Sequence, residues 1–271
     1  MSNKSSDFDN LAAAYSATKH ADQTDNISDM PECALVDLCS GKPTLRSVIG
    51  DHNRLAVIDV GCGNGNEARQ LLSDGIAERV YAIDVSAEMV RLAIQATPKE
   101  LLELGRLKYE VRDARNIQPK HNAAFDLALC NFVLQFAADL DELLSICSSI
   151  CRCLKTNGRL IGFLPNGEVD AVMTDEMAVK YGSQHILPSD GIINDGDTVP
   201  IRFLEHGVTV GSTKMRWFFK STYEACLRQS GFGHVRWHSP IVTQQGIDAM
   251  GADWWTDFVN PPKWVVLEAI K

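Results

Sequence analysis

Short apolar runs alternate with segments of helical spacing through most of this chain. Seven apolar-rich runs predict strands, at residues 55–60, 79–85, 107–111, 125–130, 158–164, 234–242 and 264–270. Apolar positions at helical spacing predict helices over 67–73, 87–96 and 140–154. Strands that alternate with helices are typical of an α/β fold, in which a parallel sheet is covered by helices on both faces.

The alternation is interrupted once, after the fifth predicted strand. Residues 166–220 carry Gly, Asp, Pro and His, with strand-like pieces at 201–204 and 215–219. Because predicted sheet strands lie on both sides of this segment, we interpret it as an insertion in a single domain that spans 51–271. Residues 1–50 are predicted to form an N-terminal helical lid.

Local patterns also predict two helix starts and one short N-terminal helix. Ser86 is placed to cap the helix over 87–96, and the capping box at 221–224 predicts a further helix that ends at Gly231. In the N-terminal segment, a short helical pattern is formed by Phe8, Leu11, Ala12 and Tyr15.

Composition narrows the class of partner. The 271 residues are 45% hydrophobic, with a net charge of -9 and a pI near 5.2. An acidic chain is a poor match for nucleic acid, which requires a basic surface, and for polybasic attachment to a membrane. We therefore expect a small-molecule substrate, with neither nucleic acid nor membrane as a partner.

The remaining composition points to a cytoplasmic protein without a metal. The N-terminus has no apolar signal region, and no apolar run reaches transmembrane length. Eight cysteines are scattered through a chain too long for a disulfide scaffold, and the cluster Cys147, Cys151 and Cys153 has no histidine at zinc-finger spacing. We interpret these cysteines as buried thiols in a reducing compartment.

The sequence VIDVGCGNGNE at 57–67 predicts a strand that ends in a glycine turn. In an open parallel sheet, such a turn lies at the carboxyl edge where ligands bind. A dinucleotide cofactor is typically bound by G-x-G-x-x-G. Here the spacing is G-x-G-x-G, and Asn66 stands where the late glycine would be. This departure disfavours a nicotinamide oxidoreductase but leaves it open.

Three acids lie at or near the ends of three successive strands. Asp84 follows Gly61 by 84 − 61 = 23 positions, where a carboxylate can accept hydrogen bonds from both ribose hydroxyls. Asp113 can accept from the exocyclic amine of adenine, and Asp59 can orient the turn or meet an ammonium group. Three acids suit a cationic cofactor such as S-adenosylmethionine better than they suit a pyrophosphate.

The motifs VIDVGCGNG, VYAIDVSAEMV, VRDA and FDLALCNFVLQF occur in this order within residues 55–165. They resemble the successive motifs of class I S-adenosylmethionine-dependent methyltransferases. The resemblance implies a Rossmann-like, seven-stranded, mostly parallel sheet whose last strand is antiparallel. It also implies a cofactor site formed by Tyr15, Asp59, Gly61, Gly63, Asp84, Val85, Met89, Asp113, Ala114, Asn131 and Phe132.

Individual roles within this set follow from the same resemblance. Asp84 would bind the ribose and Asp113 the adenine amine, with Val85 and Met89 packed on the adenine ring. Asn131 and Phe132 would border the methyl group, and Tyr15 would lie over the methionine moiety.

The segments KYGSQHILPSDG, MRWFFKSTYEACLRQSGFGHVRWHSPIV and WWTDFVNPPKWVVLE are similar to those of toxoflavin-type small-molecule methyltransferases. The resemblance implies methylation of a ring nitrogen in a planar heteroaromatic metabolite. Aromatic side chains in this region are predicted to roof the cofactor by stacking and water exclusion. They are Phe203, Trp217, Phe218, Phe219, Trp254, Trp255 and Phe258.

The need for a catalytic base depends on the acceptor atom. A ring nitrogen with a free lone pair needs none, whereas a hydroxyl or N–H acceptor does. His185, Tyr181 and His206 are the candidate bases in the sequence. The alternatives left open are O- or C-methylation of another metabolite, a protein substrate, and a methyltransferase-like protein that binds the cofactor only for regulation. The oligomeric state is also open.

Overall fold

A computed structural model describes residues 9, 11, 12, 27 and 30–271 of the chain. Its main sheet has seven strands in the order β3-β2-β1-β4-β5-β10-β9. These strands are β1 (Leu55–Val60), β2 (Ala77–Asp84), β3 (Leu107–Val111), β4 (Phe125–Leu129), β5 (Leu154–Pro165), β9 (His234–His238) and β10 (Trp264–Ile270).

Strand direction matches the predicted fold class. The strands β1 to β5 pair in parallel, and β10 is antiparallel to both of its neighbours, β5 and β9. The seven-stranded, mostly parallel sheet with an antiparallel last strand is therefore confirmed. Strand order reverses between β1 and β4, which places a ligand-binding crevice beside the carboxyl end of β1.

Helices lie on both faces of the sheet. The described α-helices are α1 (Glu32–Val36), α2 (Lys42–Ile49), α3 (Asn66–Ser73), α4 (Ala87–Gln95), α5 (Lys99–Glu103), α6 (Leu140–Cys153), α7 (Asp175–Tyr181), α8 (Lys220–Gln229), α9 (Gln244–Met250) and α10 (Ala252–Val259). A π-helical turn, Asp37–Gly41, joins α1 to α2.

The period of two along the strands divides the apolar side chains between two cores. In β1, Ile58 and Val60 pack into one core with α6 and α8, whereas Val57 packs into the other. The second core also contains residues of α1, α2, α3 and α10. Burial on both faces is the reason that β1 is apolar almost throughout.

The insertion forms a second sheet. Its strands β6 (Ser183–His185), β7 (Asp197–Glu205) and β8 (Val208–Trp217) pair antiparallel in the order β6-β7-β8. The two strand-like pieces predicted in this segment are thus parts of a longer hairpin. An apolar cluster that includes Met215 and Trp217 packs beneath it against Phe136.

Two local predictions have opposite outcomes. The Ser86 cap is confirmed, because Ser86 Oγ accepts a hydrogen bond from Met89 N at 3.1 Å. The capping box at 221–224 is wrong, because the helix begins at Lys220 and its N-cap, Phe219, makes no side-chain cap bond. Glu224 instead accepts from Trp237 Nε1 at 2.9 Å. The Glu224 carboxylate is thus bonded to a tertiary partner and not to the start of its own helix.

The predicted strand over 234–242 also ends early. It stops at His238, two residues before Pro240. Proline has no backbone N–H to donate, so it cannot extend a ladder between strands.

Trp255 belongs to the core, so the prediction that it roofs the cofactor is wrong. Its side chain is 2% exposed and packs with Phe258 in the second core. Its Nε1 donates to Gly246 O at 2.9 Å, which joins α10 to α9. A residue buried in this way contributes to stability rather than to substrate contact.

We predict that Trp255→Ala lowers the free energy of unfolding by about 3–5 kcal/mol, because it removes a large buried ring and leaves a cavity. Urea denaturation measures this change. Leu104→Ala is the control, since Leu104 is 73% exposed and its truncation should change stability by less than about 0.5 kcal/mol. Equal stability of the Trp255 and Leu104 variants would contradict the core assignment.

Candidate functional site

A cavity of about 570 Å³ opens at the carboxyl edge of the main sheet. One end is lined by the glycine turn after β1 and by Asp84 at the end of β2. The other end reaches β6, β7 and β8 of the insertion. We refer to these as the turn end and the roof end. The volume falls within the range of small-molecule and cofactor sites.

The glycine turn needs residues without a side chain. Gly61 and Gly63 have φ of 71° and 53°, in the left-handed region that glycine adopts freely. A Cβ at Gly61 would collide with the Val133 side chain, whereas a Cβ at Gly63 would meet nothing within 4 Å. The turn therefore keeps open space beside its backbone at Gly63.

Asp84 connects the glycine turn to the next loop. Its Oδ2 accepts from Gly63 N at 2.8 Å, and its Oδ1 accepts from Ser86 N at 2.9 Å. Burial raises the pKa of Asp84, and the two backbone donors oppose that shift. A carboxylate oxygen can accept more than one hydrogen bond, so both oxygens keep capacity for a ligand in the cavity.

Asp113 and Ala114 line the cavity beyond β3. Asp113 accepts from Arg115 N at 2.8 Å, which caps the 3-10 turn Ala114–Asn116. The Arg115 guanidinium also pairs with this carboxylate. Asp113 is thus engaged by a neighbouring cation, which the sequence did not predict.

Asp59 lies behind the turn rather than in the cavity lining. It is 3% exposed, and its Oδ2 has no hydrogen-bond partner among the described residues. Burial, with the nearby carboxylates of Glu67 and Asp84, raises the pKa of Asp59 to about 8. An orphaned buried acid of this kind is stabilised by any cation that comes close to it.

Val85 and Met89 line the turn end, and Asn131 and Phe132 lie on the wall after β4. Phe132 has φ of 54°, an unusual value for a bulky residue. Its N–H donates to Phe163 O at 2.8 Å, and its ring meets Trp264 edge-on at 5.1 Å between centroids. These contacts hold a strained aromatic residue in place at the cavity wall.

The insertion supplies the roof end. Ser183, His185, Ile201, Phe203 and Met215 all line the cavity. Of the aromatic side chains predicted to roof the cofactor, Phe203 lies in this lining. The others do not, and they pack in the cores or beside them: Trp217, Phe218, Phe219, Trp254, Trp255 and Phe258.

Several lining residues were missed by sequence reasoning. Trp264 begins β10 and pairs with Pro165, the last residue of β5. An antiparallel strand begins at the edge where its parallel neighbour ends, so strand direction could have placed Trp264 at the site. Gln135 and Phe136, in the 3-10 turn Leu134–Phe136, were also missed.

His185 lies in the lining but lacks the features of a base. Its Nδ1 accepts a hydrogen bond from Met173 N at 3.1 Å, so the neutral ring carries its proton on Nε2. Burial, with nearby Lys263, lowers the pKa of His185 to about 4. The ring is therefore neutral at pH 7, and its lone pair is already used. The other ring nitrogen, Nε2, carries the proton and can therefore only donate.

The other candidate bases lie outside the lining. The Tyr181 hydroxyl donates to Trp254 O at 2.6 Å, and its ring packs in the core. His206 is exposed in the turn between β7 and β8, beside Glu32. The structure therefore does not bring Tyr181 or His206 into the cavity lining.

Two described residues of the N-terminal segment, Asp9 and Leu11, lie at or beside the site. Leu11 lines the cavity, and the Asp9 carboxylate accepts from Ser86 Oγ at 2.5 Å and from Glu88 N at 3.2 Å. Tyr15 lies outside the described residues.

Comparison with known sequences identifies one domain. Residues 58–162 match a family described as "Methyltransferase domain". Trans-aconitate 2-methyltransferase from Enterobacter sp. (strain 638) is 31% identical over 128 residues, which are 46% of either protein. Demethylmenaquinone methyltransferase from Leptospira interrogans is 28% identical over 107 residues, 40% of this chain and 41% of the relative. The chain thus spans less than half the length of these curated relatives.

Comparison with solved structures extends the likeness over the whole fold. An S-adenosylmethionine-dependent methyltransferase from Mesorhizobium loti aligns over 84% of this chain and 96% of its own, with a TM-score of 0.57 and 18% identity. The chain has a methyltransferase fold. The same fold occurs in Burkholderia thailandensis 1,6-didemethyltoxoflavin-N1-methyltransferase, solved with 1,6-didemethyltoxoflavin and S-adenosylhomocysteine bound. That structure aligns over 99% of this chain and 87% of its own, with a TM-score of 0.52 and 17% identity.

The part of the chain that the structure describes has neither a cluster of metal-ligating side chains nor a membrane-spanning helix. No group of His, Cys, Asp and Glu side chains in this part of the chain is arranged to hold a metal ion. No described helix is both long enough and apolar enough to cross a bilayer.

The orphaned Asp59 predicts an unusual dependence of stability on pH. Because its folded-state pKa is raised from 3.8 to about 8, the unfolded chain ionises first as pH rises. The contribution of Asp59 to stability is therefore complete below about pH 4 and is lost progressively toward about pH 8. Asp59→Asn removes this loss, so the variant should gain about 1–3 kcal/mol relative to the wild type between about pH 5 and pH 8.

Urea denaturation of the wild type and Asp59→Asn across this pH range measures the effect. Asp51→Asn is the control, because Asp51 is exposed in the loop before β1. If the wild type and Asp59→Asn show the same pH dependence, Asp59 is not the buried acid that the geometry indicates.

Proposed function

We propose that the protein transfers a methyl group from S-adenosylmethionine to a ring nitrogen of a small planar heteroaromatic molecule. The observation that carries this proposal is the single cavity that joins the glycine turn and Asp84 to the roof formed by β6, β7 and β8. One continuous space can hold a cofactor at the turn end and a second molecule at the roof end. Such an arrangement favours transfer between two bound molecules.

The turn end has groups that fit the cofactor. The two Asp84 oxygens would accept from the ribose hydroxyls, and the open space at Gly63 lets the cofactor approach the backbone. Val85 and Met89 would pack on the adenine ring. The orphaned Asp59 supplies a negative charge for the ammonium group, whose approach would lower the pKa of Asp59 and ionise it.

Asp113 would accept from the adenine amine while it keeps its pairing with Arg115. Asn131 and Phe132 would border the methyl group, at the junction between the turn end and the roof end. The segment that contains Asp9, Leu11 and Tyr15 would close the turn end, which the contacts of Leu11 and Asp9 support. The predicted lid does not extend over all of residues 1–50, because α1 and α2 pack in the second core. S-adenosylmethionine, when bound, supplies a methyl group on a positively charged sulfur.

The described roof end favours an acceptor that needs no base. His185 is neutral, and its basic nitrogen is already hydrogen-bonded to Met173 N. A hydroxyl or an amide nitrogen would have to lose its proton to a base, whereas a pyridine-type ring nitrogen attacks with a lone pair that is already free. The contribution of the chain is then placement of the two reactants and exclusion of water.

The shape and chemistry of the lining support a planar molecule. Phe132, Phe136, Phe203 and Trp264 supply aromatic surface, and few polar groups interrupt it at the roof end. Flat apolar walls favour stacking with a ring. The names of the relatives fit a small-molecule substrate, since they refer to trans-aconitate, demethylmenaquinone and 1,6-didemethyltoxoflavin.

Proteins of the same fold have other activities, and these activities are the alternatives to the proposed function. The cyclase SpnF aligns over 99% of this chain and 95% of its own at 18% identity, with a TM-score of 0.60, so the fold also supports chemistry other than methyl transfer. O- or C-methylation, a protein substrate and a purely regulatory cofactor site are the further rivals. A small-molecule substrate and a cytoplasmic location remain part of the proposal.

We predict that Asp84→Asn weakens binding of S-adenosylhomocysteine by about tenfold to a hundredfold. The amide retains one acceptor oxygen, so it cannot satisfy both backbone donors and both ribose hydroxyls, and it has lost the charge that strengthens those bonds. Isothermal titration calorimetry measures the affinity.

The matched control is Asp126→Asn. Asp126 also accepts a backbone N–H, from Ala56 at 2.9 Å, but it lies at the opposite edge of the sheet. Titration with nicotinamide dinucleotides tests the oxidoreductase alternative in the same instrument. If folded Asp84→Asn protein binds S-adenosylhomocysteine as tightly as the wild type does, Asp84 does not bind the ribose. If the wild type binds a nicotinamide dinucleotide more tightly than S-adenosylhomocysteine, the cofactor is the nicotinamide dinucleotide.

Incubation with S-adenosylmethionine and a panel of heteroaromatic rings, amines, phenols and carboxylic acids tests the substrate class. Mass spectrometry should detect a singly methylated product from a ring that has a pyridine-type nitrogen, with S-adenosylhomocysteine formed in equal amount. Methylation of phenols or acids alone would contradict the nitrogen acceptor. Binding of S-adenosylhomocysteine without any methylated product would favour the regulatory alternative.

A further inference from the structure

Two polar side chains of β6 border the roof end of the cavity. Ser183 and His185 are two positions apart in this strand, and both line the cavity. Because successive side chains of a strand point to opposite faces, residues two positions apart share one face. Gln184, which lies between them, donates to the Asp175 carboxylate instead. The strand therefore presents a hydroxyl and an imidazole side by side.

The His185 ring is fixed, and one of its nitrogens stays open. Its Nδ1 accepts from Met173 N at 3.1 Å, and the ring meets Trp217 edge-on at 5.2 Å between centroids. The protonated Nε2 makes no hydrogen bond within the described part of the chain, yet it is not among the unpaired side-chain atoms that are sealed from solvent there. His185 is 7% exposed and lines the cavity. Its open N–H is therefore available to a molecule held in that cavity.

The Ser183 hydroxyl is available in the same way. The backbone of Ser183 pairs with Phe203 in the ladder between β6 and β7, which holds the residue at the cavity wall. Its Oγ has no hydrogen-bond partner among the described residues and is not sealed from solvent. A hydroxyl can rotate to direct its proton, so it can follow the position of a nearby acceptor.

We propose that Ser183 and His185 are substrate-specificity residues that donate hydrogen bonds to an exocyclic carbonyl oxygen of the planar substrate. This inference rests on the proposed function, because it places the substrate at the roof end. The cavity wall then recognises a particular ring substituent, in addition to the flat shape of the ring.

The chemistry of the two donors determines the kind of group that they bind. Nε2 of His185 can only donate, so its partner has to be an acceptor. The methyl-accepting ring nitrogen needs its lone pair for attack, so the hydrogen bond goes to a different atom of the substrate. A carbonyl oxygen meets this requirement, since its two lone pairs can accept from both donors.

The charge of the roof end favours a neutral carbonyl over a carboxylate. The insertion residues that line the cavity include no Lys or Arg; they are Ser183, His185, Ile201, Phe203 and Met215. His185 itself is neutral at pH 7, because burial lowers its pKa to about 4. A carboxylate removed from water without a cation beside it would be costly. The substrate class is therefore an uncharged heteroaromatic ring that carries a lactam or acyl carbonyl.

Specificity follows from the cost of leaving the two donors without an acceptor. A ring with a C=CH₂ group in place of C=O would fill nearly the same space and stack in the same way. It would also cover the His185 N–H and the Ser183 hydroxyl without accepting from them. Sites that hydrogen-bond a substrate group discriminate strongly against analogues that lack it.

The test compares matched probes on protein saturated with S-adenosylhomocysteine. The first pair is 3-acetylquinoline and 3-isopropenylquinoline. The second is 3-methylquinazolin-4(3H)-one and its 4-thione, whose sulfur is a weaker acceptor. All four are uncharged at neutral pH. Calorimetry or fluorescence titration gives their affinities for the wild type and for each variant.

The variants remove one donor at a time. Ser183→Ala removes the hydroxyl. His185→Asn keeps an acceptor oxygen for Met173 N but has no group at the position of Nε2. The controls are Ser212→Ala, on the exposed surface of β8, and His206→Asn, in the exposed turn between β7 and β8.

In the wild type and in both controls, we expect at least one carbonyl probe to bind tenfold or more tightly than its partner. The ratio for that pair should fall below threefold in His185→Asn and at least threefold from the wild-type value in Ser183→Ala. The affinities for S-adenosylhomocysteine and for the partner probe should stay within threefold of the wild type. A merely structural role would weaken the binding of both members of the pair.

Three results would overturn the inference. They are equal binding of both members of each pair to the wild type, discrimination that persists in either variant, and an equal loss of affinity for both members of a pair. Ser183→Ala removes only one oxygen atom, so it gives an answer even if His185→Asn does not fold. Failure of the wild type to bind S-adenosylhomocysteine would instead defeat the proposed function, which separates the two failures. If S-adenosylhomocysteine binds and no probe does, both the inference and the heteroaromatic substrate class fall.

Discussion

The turn end depends on one carboxylate that bridges two backbone segments. Asp84 accepts from Gly63 N in the glycine turn and from Ser86 N at the start of α4. These segments follow β1 and β2, which are neighbours in the sheet. The bridge fixes the distance between them and presents the same carboxylate to the cavity. Backbone structure and the proposed ribose contact would therefore rely on the same two oxygen atoms.

The bridge constrains the residues around it. Only a chain that reverses sharply after β1 can direct Gly63 N toward Asp84, and the left-handed values at Gly61 and Gly63 provide this reversal. The same reversal leaves Asp59 enclosed behind the turn, where no described side chain neutralises it. Burying this unpaired carboxyl group costs free energy of folding. We attribute that cost to function, since buried unpaired acids are concentrated at sites that bind or transform ligands.

The roof end differs from the turn end because its lining is mostly apolar. An antiparallel hairpin in the insertion, the wall residue Phe132 and the first residue of β10, Trp264, surround an apolar space that contains few polar groups. The polar side chains in this part of the lining include Ser183 and His185, and the His185 Nδ1 is already bonded to Met173 N. Aromatic surface with few polar groups is the feature of this lining on which the proposed planar substrate rests.

The periodicity of the sequence was sufficient to predict the main sheet, because β1, β2 and β4 are buried on both faces and read as apolar runs. The glycine turn and the strand-end acids were predictable because both are local signals. The chemistry of His185 was not, since it depends on a hydrogen bond from Met173, twelve positions away in the chain. Trp255 and Phe203 have similar aromatic character in the sequence, yet one is core and the other lines the cavity. That difference is decided by tertiary packing.

Gln135 left a weak signal in the sequence, as the one polar residue in the apolar stretch FVLQF. Its place in the cavity lining is set by the 3-10 turn Leu134–Phe136, which the sequence did not predict.

The central claim is that one cavity holds the cofactor at the turn end and leaves the roof end for an acceptor. A crystal structure with S-adenosylhomocysteine tests it most directly. The account predicts both ribose hydroxyls within about 2.5–3.0 Å of the Asp84 oxygens. It also predicts that the sulfur atom faces the space between Asn131 and the roof. A ligand bound elsewhere, or one that fills the roof end and leaves Asp84 without a ribose contact, would contradict the account.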